Sequence, residues 1–204
     1  MIGILGLLQF MVRFLRILKR IDLIMKFTAG KIFLLFLITV MMTGCKKNIN
    51  ISNRQAILFE FEYVNYASDY RHYGYLIDNE GNVLTYNNPE SWNFPDGELR
   101  ISEDQVAENL SMCTHTGIRI PKSELQKYSN HIINLASSRV SALKNQADDA
   151  GSAEYICYQY SENSGMYKGT IIKMEGDFTC ENLNFYSKRV VLWMKEIKNS
   201  IGVD

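Results

Sequence analysis

The chain is poor in the residues that usually announce chemistry. Of its 204 residues only four are Cys, three are His and three are Pro. Four Cys are too few for a disulfide-dense scaffold. Scarce Pro with 47% hydrophobic residues excludes a disordered or fibrous chain. There is no Gly-x-Ser-x-Gly, no Walker loop, no Gly-x-Gly-x-x-Gly, no His-Glu-x-x-His and no Cys-x-x-Cys, so the strong signatures of a hydrolase, a nucleotide binder or a zinc site are missing. The three histidines, His72, His115 and His131, are scattered, and no metal or cofactor is expected. Net charge is missing too: 22 basic residues balance 22 acidic ones. That excludes a nucleic-acid binder unless the charge is segregated.

It is segregated. Residues 1–44 hold six bases and one acid, a charge of +5, and residues 45–204 carry −5. A basic, apolar head on an acidic body is the balance of an exported protein. Residues 32–42 are all apolar but Thr39. As a helix that run is roughly 16 Å long, about half a bilayer core, and too short to span. Its length is that of a signal-peptide apolar region, with Lys26 and Lys31 as the positive flank.

Met42-Thr43-Gly44-Cys45 closes the run. It resembles the lipobox of bacterial lipoprotein precursors, an apolar residue and two small ones before an invariant Cys, with Met where Leu is usual. The resemblance covers about residues 25–45. It implies cleavage after Gly44, a diacylglycerol on Cys45 and an acyl chain such as palmitate on the new amino group. Two or more chains anchor stably, whereas one is marginal. Met25-Lys26 reads as the natural start ahead of the signal peptide at 25–44, with residues 1–24 either a mis-called start or, if translated, a basic amphipathic stretch suited to an anionic inner leaflet. Residues 45–54 read as the lipidated Cys and a polar tether. Lys46 stands where retained inner-membrane lipoproteins carry Asp, so the resemblance favours the outer membrane where the host has one.

Residues 55–204 read as a single α+β domain. Ile57, Phe59, Phe61 and Tyr63 alternate with Glu60 and Glu62, the pattern of a half-buried strand. Turn clusters at 78–82 and 162–165 each separate two strand-like runs, giving two hairpins. Ser102 to Gln105 forms a capping box ahead of a helix striped by Val106, Leu110 and Cys113. Pro121 opens a second helix with Leu125, Tyr128, Ile132 and Leu135 on one face. A last helix runs from about 182 to 199, with Leu183, Tyr186, Val190, Trp193 and Ile197 as its stripe. The expected architecture is an antiparallel sheet from two hairpins with about three helices packed on one face.

Three Cys remain in the mature body, enough for one bridge at most. Three free thiols are the leading reading; among the three possible pairings Cys157–Cys180 comes first. A nucleophilic Cys needs a base within reach. Cys113 with His115 or His131 is the sharpest such pair, but Cys113 lies on an apolar helix stripe, where a thiol is inert. No catalytic residue is expected. Trp92 and Phe94 share a loop with Pro89 and Pro95, and Tyr63, Tyr66, Tyr70, Tyr73 and Tyr75 crowd one segment. Aromatics of this kind suit recognition, which makes Trp92 and Phe94 a candidate binding loop; otherwise Trp92 caps the core and the tyrosines are strand residues.

These features predict a lipid-anchored envelope lipoprotein, facing outside the cytoplasm, that acts by binding or assembly. Its partners would be membrane lipid through Cys45 and an envelope protein, peptide or carbohydrate, with no nucleic acid. The alternatives are an exported, hydrolase-like enzyme and an inhibitor of a secreted protein.

Overall fold

The first strand does not stop at one buried face, and the rest of the architecture follows from that. The structure, a computed structural model, describes residues 54–67 and 69–203. The signal segment, Met42, Thr43, Gly44, Cys45 and all of the tether but Arg54 lie outside the described residues. The described residues belong to one compact unit.

The elements in chain order are β1 (Ile57–Asn65), β2 (Arg71–Asp78), β3 (Asn82–Asn87), β4 (Arg100–Ser102), α1 (Glu103–Ser111), β5 (Thr114–Arg119), α2 (Lys122–Ser129), α3 (Ile132–Ala136), β6 (Lys144–Asn145), β7 (Ser152–Ser161), β8 (Met166–Gly176), β9 (Phe178–Glu181) and α4 (Ser187–Ile201). The class is α+β, as expected. The sheet is larger than two hairpins: nine antiparallel strands run in the order β5-β3-β2-β1-β7-β8-β9-β6, with β4 pairing β8 off that path. The two expected hairpins, β2–β3 and β7–β8, are present. They are joined through β1, which pairs with both β2 and β7. Asp78 builds the first turn by accepting from the Glu80 and Asn82 amides through Oδ1.

Each face of the sheet has its own core, which corrects the expectation of helices on one face. Phe59, Phe61, Tyr75 and Ile77 pack with Leu125, Ile132, Leu135, Val190, Trp193 and Met194, so α2, α3 and α4 cover that side. Ile57, Leu76, Tyr86, Ile156, Tyr158 and Tyr167 pack with Ile101 and Val106, so β4 and α1 cover the other. The capping box forms as read: Gln105 N–H donates to Ser102 Oγ, and Ser102 N–H to Gln105 Oε1. A register shift between Ile57 and Phe59 resets the alternation of β1, which is why Ile57 belongs to the second core and Phe59 to the first. The second helix of the sequence reading is two, broken at Asn130–His131. The last helix starts at Ser187, not 182, because Asn182 and Asn184 accept from the amides of Asn184 and Tyr186 and hold a turn there. Leu183 is therefore exposed and off the stripe. The helix closes on Gly202 in the left-handed region, φ 63°.

Candidate functional site: a buried carboxyl row behind an acidic groove

Because α1 covers the second face, the charged positions of β1 point into the protein. The pairing sets Glu154, Glu62, Gly74 and Tyr86 directly opposite one another across β7, β1, β2 and β3. Glu60 lies one row on, between Ile156 and Leu76. Glu60 and Glu62 are both buried, where an isolated carboxylate is costly and needs partners. Glu60 has them: Tyr86 Oη donates to Oε1 at 3.0 Å and Tyr158 Oη to Oε2 at 2.5 Å. Glu62 Oε1 lies 2.8 Å from Nε2 of His72, whose exposure is 0%. The rings of Tyr86, Trp92 and Phe94 stand 5.1, 5.4 and 5.0 Å from the His72 ring.

Burial sets the protonation of this row. It pushes Glu60 up to about 8, helped by the nearby Glu62 and opposed by the two tyrosine hydroxyls. Glu62 also rises to about 8, from burial first and from the facing Glu154 second. Burial lowers His72, with Glu60 pulling the other way. A 2.8 Å spacing suits an ion pair as well as a neutral hydrogen bond, and burial, which drives both groups to their neutral forms, decides for the neutral bond. With the proton on Glu62, His72 carries its own at Nδ1. That atom has no hydrogen-bond partner and lies among aromatic rings, a weak N–H···π setting.

Glu62 also lines a groove of about 520 Å³ on the outer side of this row. Four carboxyl residues line it, Glu62, Glu154, Asp149 and Asp177, with Tyr66, Phe94 and Phe178 as its aromatic wall; among the described residues no Lys, Arg or His does. Tyr66 is 73% exposed, and Phe94 and Phe178 are 41% exposed each. One wall is fixed by Asp177, which accepts from the amides of Ala150 and Gly151 at 2.7 and 3.2 Å. Tyr63 Oη donates to the Ala150 carbonyl from beneath. Gly151 is required there: its φ is +72°, and a Cβ would stand 2.8 Å from the Val64 carbonyl oxygen. A smaller cleft of about 220 Å³ lies beside α4, lined by Lys173, Lys188 and Lys195. Two of its three ammonium groups are already spent, on Glu175 at 2.7 and 2.8 Å.

The residues singled out from sequence are dispersed. Phe94 opens on the groove, whereas Trp92 stacks 4.1 Å from Tyr86 and caps the second core. Of the tyrosine crowd, Tyr66 reaches the groove and Tyr75 is core. The Cys157–Cys180 bridge is not formed; both are free thiols. Cys157 is on β7 and Cys180 on β9, with β8 between, and two strand spacings of about 4.8 Å exceed the reach of a disulfide. Burial pushes Cys113 and Cys157 up to about 12, so neither is a nucleophile. We expect Cys157 to resist iodoacetamide in the native protein and all three thiols to react in urea, with the intact mass unchanged by prior reduction; a mass change on reduction would establish a bridge. His115 sits on the exposed edge strand β5, and His131 stacks on Tyr186 at 3.9 Å. The sequence reading missed Glu60, Glu62, His72 and Glu154, taking the first two as a solvent face.

Among the described residues no group of three or more His, Cys, Asp or Glu is placed to hold a metal ion. No helix among them is long and apolar enough to cross a membrane. Comparison of the chain with protein-family models, with curated proteins and with solved structures found no match.

Proposed function

We propose that the protein is a lipid-anchored lipoprotein of the bacterial envelope and that it works by binding a ligand in the acidic, aromatic groove. The groove carries this reading. It is open and within the size range of small-ligand sites, while two of the row's titrating groups are sealed behind it: His72 is 0% exposed and Glu60 is buried under Tyr86 and Tyr158. Binding needs an accessible wall, whereas general acid–base catalysis needs the titrating group itself within reach of substrate. The lipobox supports the anchor, and Lys46 in place of Asp favours the outer membrane where there is one.

Two experiments test the two halves. Labelled palmitate should mark the wild type and be lost completely from Cys45→Ser; label retained on that variant overturns the anchor. A Ser152→Trp substitution, placed on the groove wall, should abolish capture of the ligand from envelope extracts while far-ultraviolet circular dichroism stays native. Unchanged capture overturns the groove as the binding surface.

The hydrolase reading rests on one observation, that Glu62 and Glu154 face each other in the same groove and are both raised by burial. Turnover of an envelope substrate lost in Glu154→Gln would favour it over simple binding.

A further inference from the structure

We infer that the groove takes an organic cation, an ammonium or guanidinium group carried on an apolar stem. The inference rests on the groove being the binding site and names its ligand class.

The carboxyls that line the groove point to it first. Glu62 is buried, with its side chain 11% exposed. Its Oε1 is engaged by His72, among the described residues none donates to Oε2, and the residue lines the groove. Glu154 is its direct cross-strand neighbour and lines the same groove; among the described residues its side-chain carboxyl has neither a hydrogen bond nor an ion pair. Like charges directly opposite in a sheet are destabilising. Burial keeps the proton on Glu62 near neutral pH, but at alkaline pH, once both are ionised, they face each other with no cation between them among the described residues. A cation in the groove would donate to both carboxyls, which removes the repulsion at once.

The aromatic wall then selects the kind of cation. Tyr66, Phe94 and Phe178 are large, exposed and gathered around the same acids. Aromatic faces attract ammonium and guanidinium groups and pack against an alkyl stem. A bare divalent ion is poorly served. Calcium takes six to eight oxygens, and both Asp177 oxygens are already spent on backbone amides, consistent with the lack of a metal-holding group among the described residues. A free diamine and a lysine side chain of a peptide present the same chemistry, and probes separate them.

The test is calorimetric titration of the full-length lipidated protein in detergent micelles at about pH 8.5, where the Glu62 carboxyl is largely ionised. The probes are cadaverine, Nα-acetyl-lysine methylamide, calcium, glutarate and maltose. The two amines should bind, and glutarate, maltose and calcium should not. Tighter cadaverine marks a free amine as the source, and tighter blocked lysine a peptide. Glu154→Gln breaks no contact, so it should fold and even melt later than the wild type without ligand, yet bind amines about tenfold more weakly, the loss of one charge-assisted hydrogen bond. Phe178→Leu keeps the apolar contact and loses the ring face, and should also weaken amine binding. Equal amine affinity in the wild type and in Glu154→Gln, or no amine binding at millimolar concentration, overturns the inference. Maltose or glutarate bound in place of amines would overturn the cation while leaving the groove as the binding site.

Discussion

Glu60→Gln should unfold at a higher urea concentration than the wild type at about pH 9 and at a slightly lower one at about pH 5. Glu60 has an ordinary value of 4.5 and is raised to about 8 in the folded protein. Between those values the native state holds a proton that the unfolded chain has released. The wild type is therefore most favoured below the ordinary value, loses roughly 1.4 kcal/mol per pH unit on the way up from this one group, and levels off once the folded carboxyl is ionised. Gln cannot ionise, so the variant escapes that loss, which sums to several kcal/mol at alkaline pH. At acid pH it gives up a good acceptor for Tyr158 and costs about 1 kcal/mol. The other groups of the row, Glu62, His72, Tyr86 and Tyr158, are present in both proteins, so the difference between the two stability curves isolates Glu60. Curves that stay parallel from acid to alkaline pH would show that Glu60 does not hold its proton.

Glu60 also shows where sequence reading stops. Ile57 to Tyr63 was legible as a strand because apolar and charged residues alternate, and the capping box at Ser102 and the stripe of α4 were legible because they are local. What alternation cannot say is whether the charged face meets water. That depends on β4 and α1 crossing the far face of the sheet, contacts between residues more than forty positions apart such as Ile57 with Ile101 and Val106. Once that face is covered, Glu60 and Glu62 turn from solvent residues into a buried pair, and His72 from a scattered histidine into the partner of Glu62. The groove was legible only as single residues: Phe94 and Tyr66 stood out as aromatics, but Asp149, Glu154 and Asp177 come to them through β7 and the turn ahead of β9. The unformed Cys157–Cys180 bridge has the same origin. The two residues are close in sequence terms, and the long strand β8 is inserted between them in the sheet.

Gly74→Ala is expected to destabilise the protein by about 3–5 kcal/mol. Gly74 sits between Glu62 and Tyr86 in the cross-strand row, and the missing side chain is what lets Tyr86 lie across β2 and reach Glu60. A Cβ there would stand 2.5 Å from the Tyr86 hydroxyl oxygen and closer still to the Phe61 carbonyl oxygen. The first collision can be relieved by moving Tyr86, at the cost of its hydrogen bond and of leaving Glu60 one donor short. The second involves the backbone of β1, and it is relieved only by prising β1 from β2. The two contributions separate in a double-mutant cycle with Tyr86→Phe, which removes the hydroxyl in advance. Gly74→Ala should cost roughly 1–2 kcal/mol less in the Tyr86→Phe background than in the wild type, the share that belongs to the hydroxyl, and the remainder should persist. A cycle with no coupling would mean that Tyr86 does not depend on the glycine and that the Glu60 site tolerates a side chain beside it. Full rescue would mean that the strands part easily, and that β1, which carries both buried carboxyls, is held by its hydrogen-bonded row and not by the fit of its backbone.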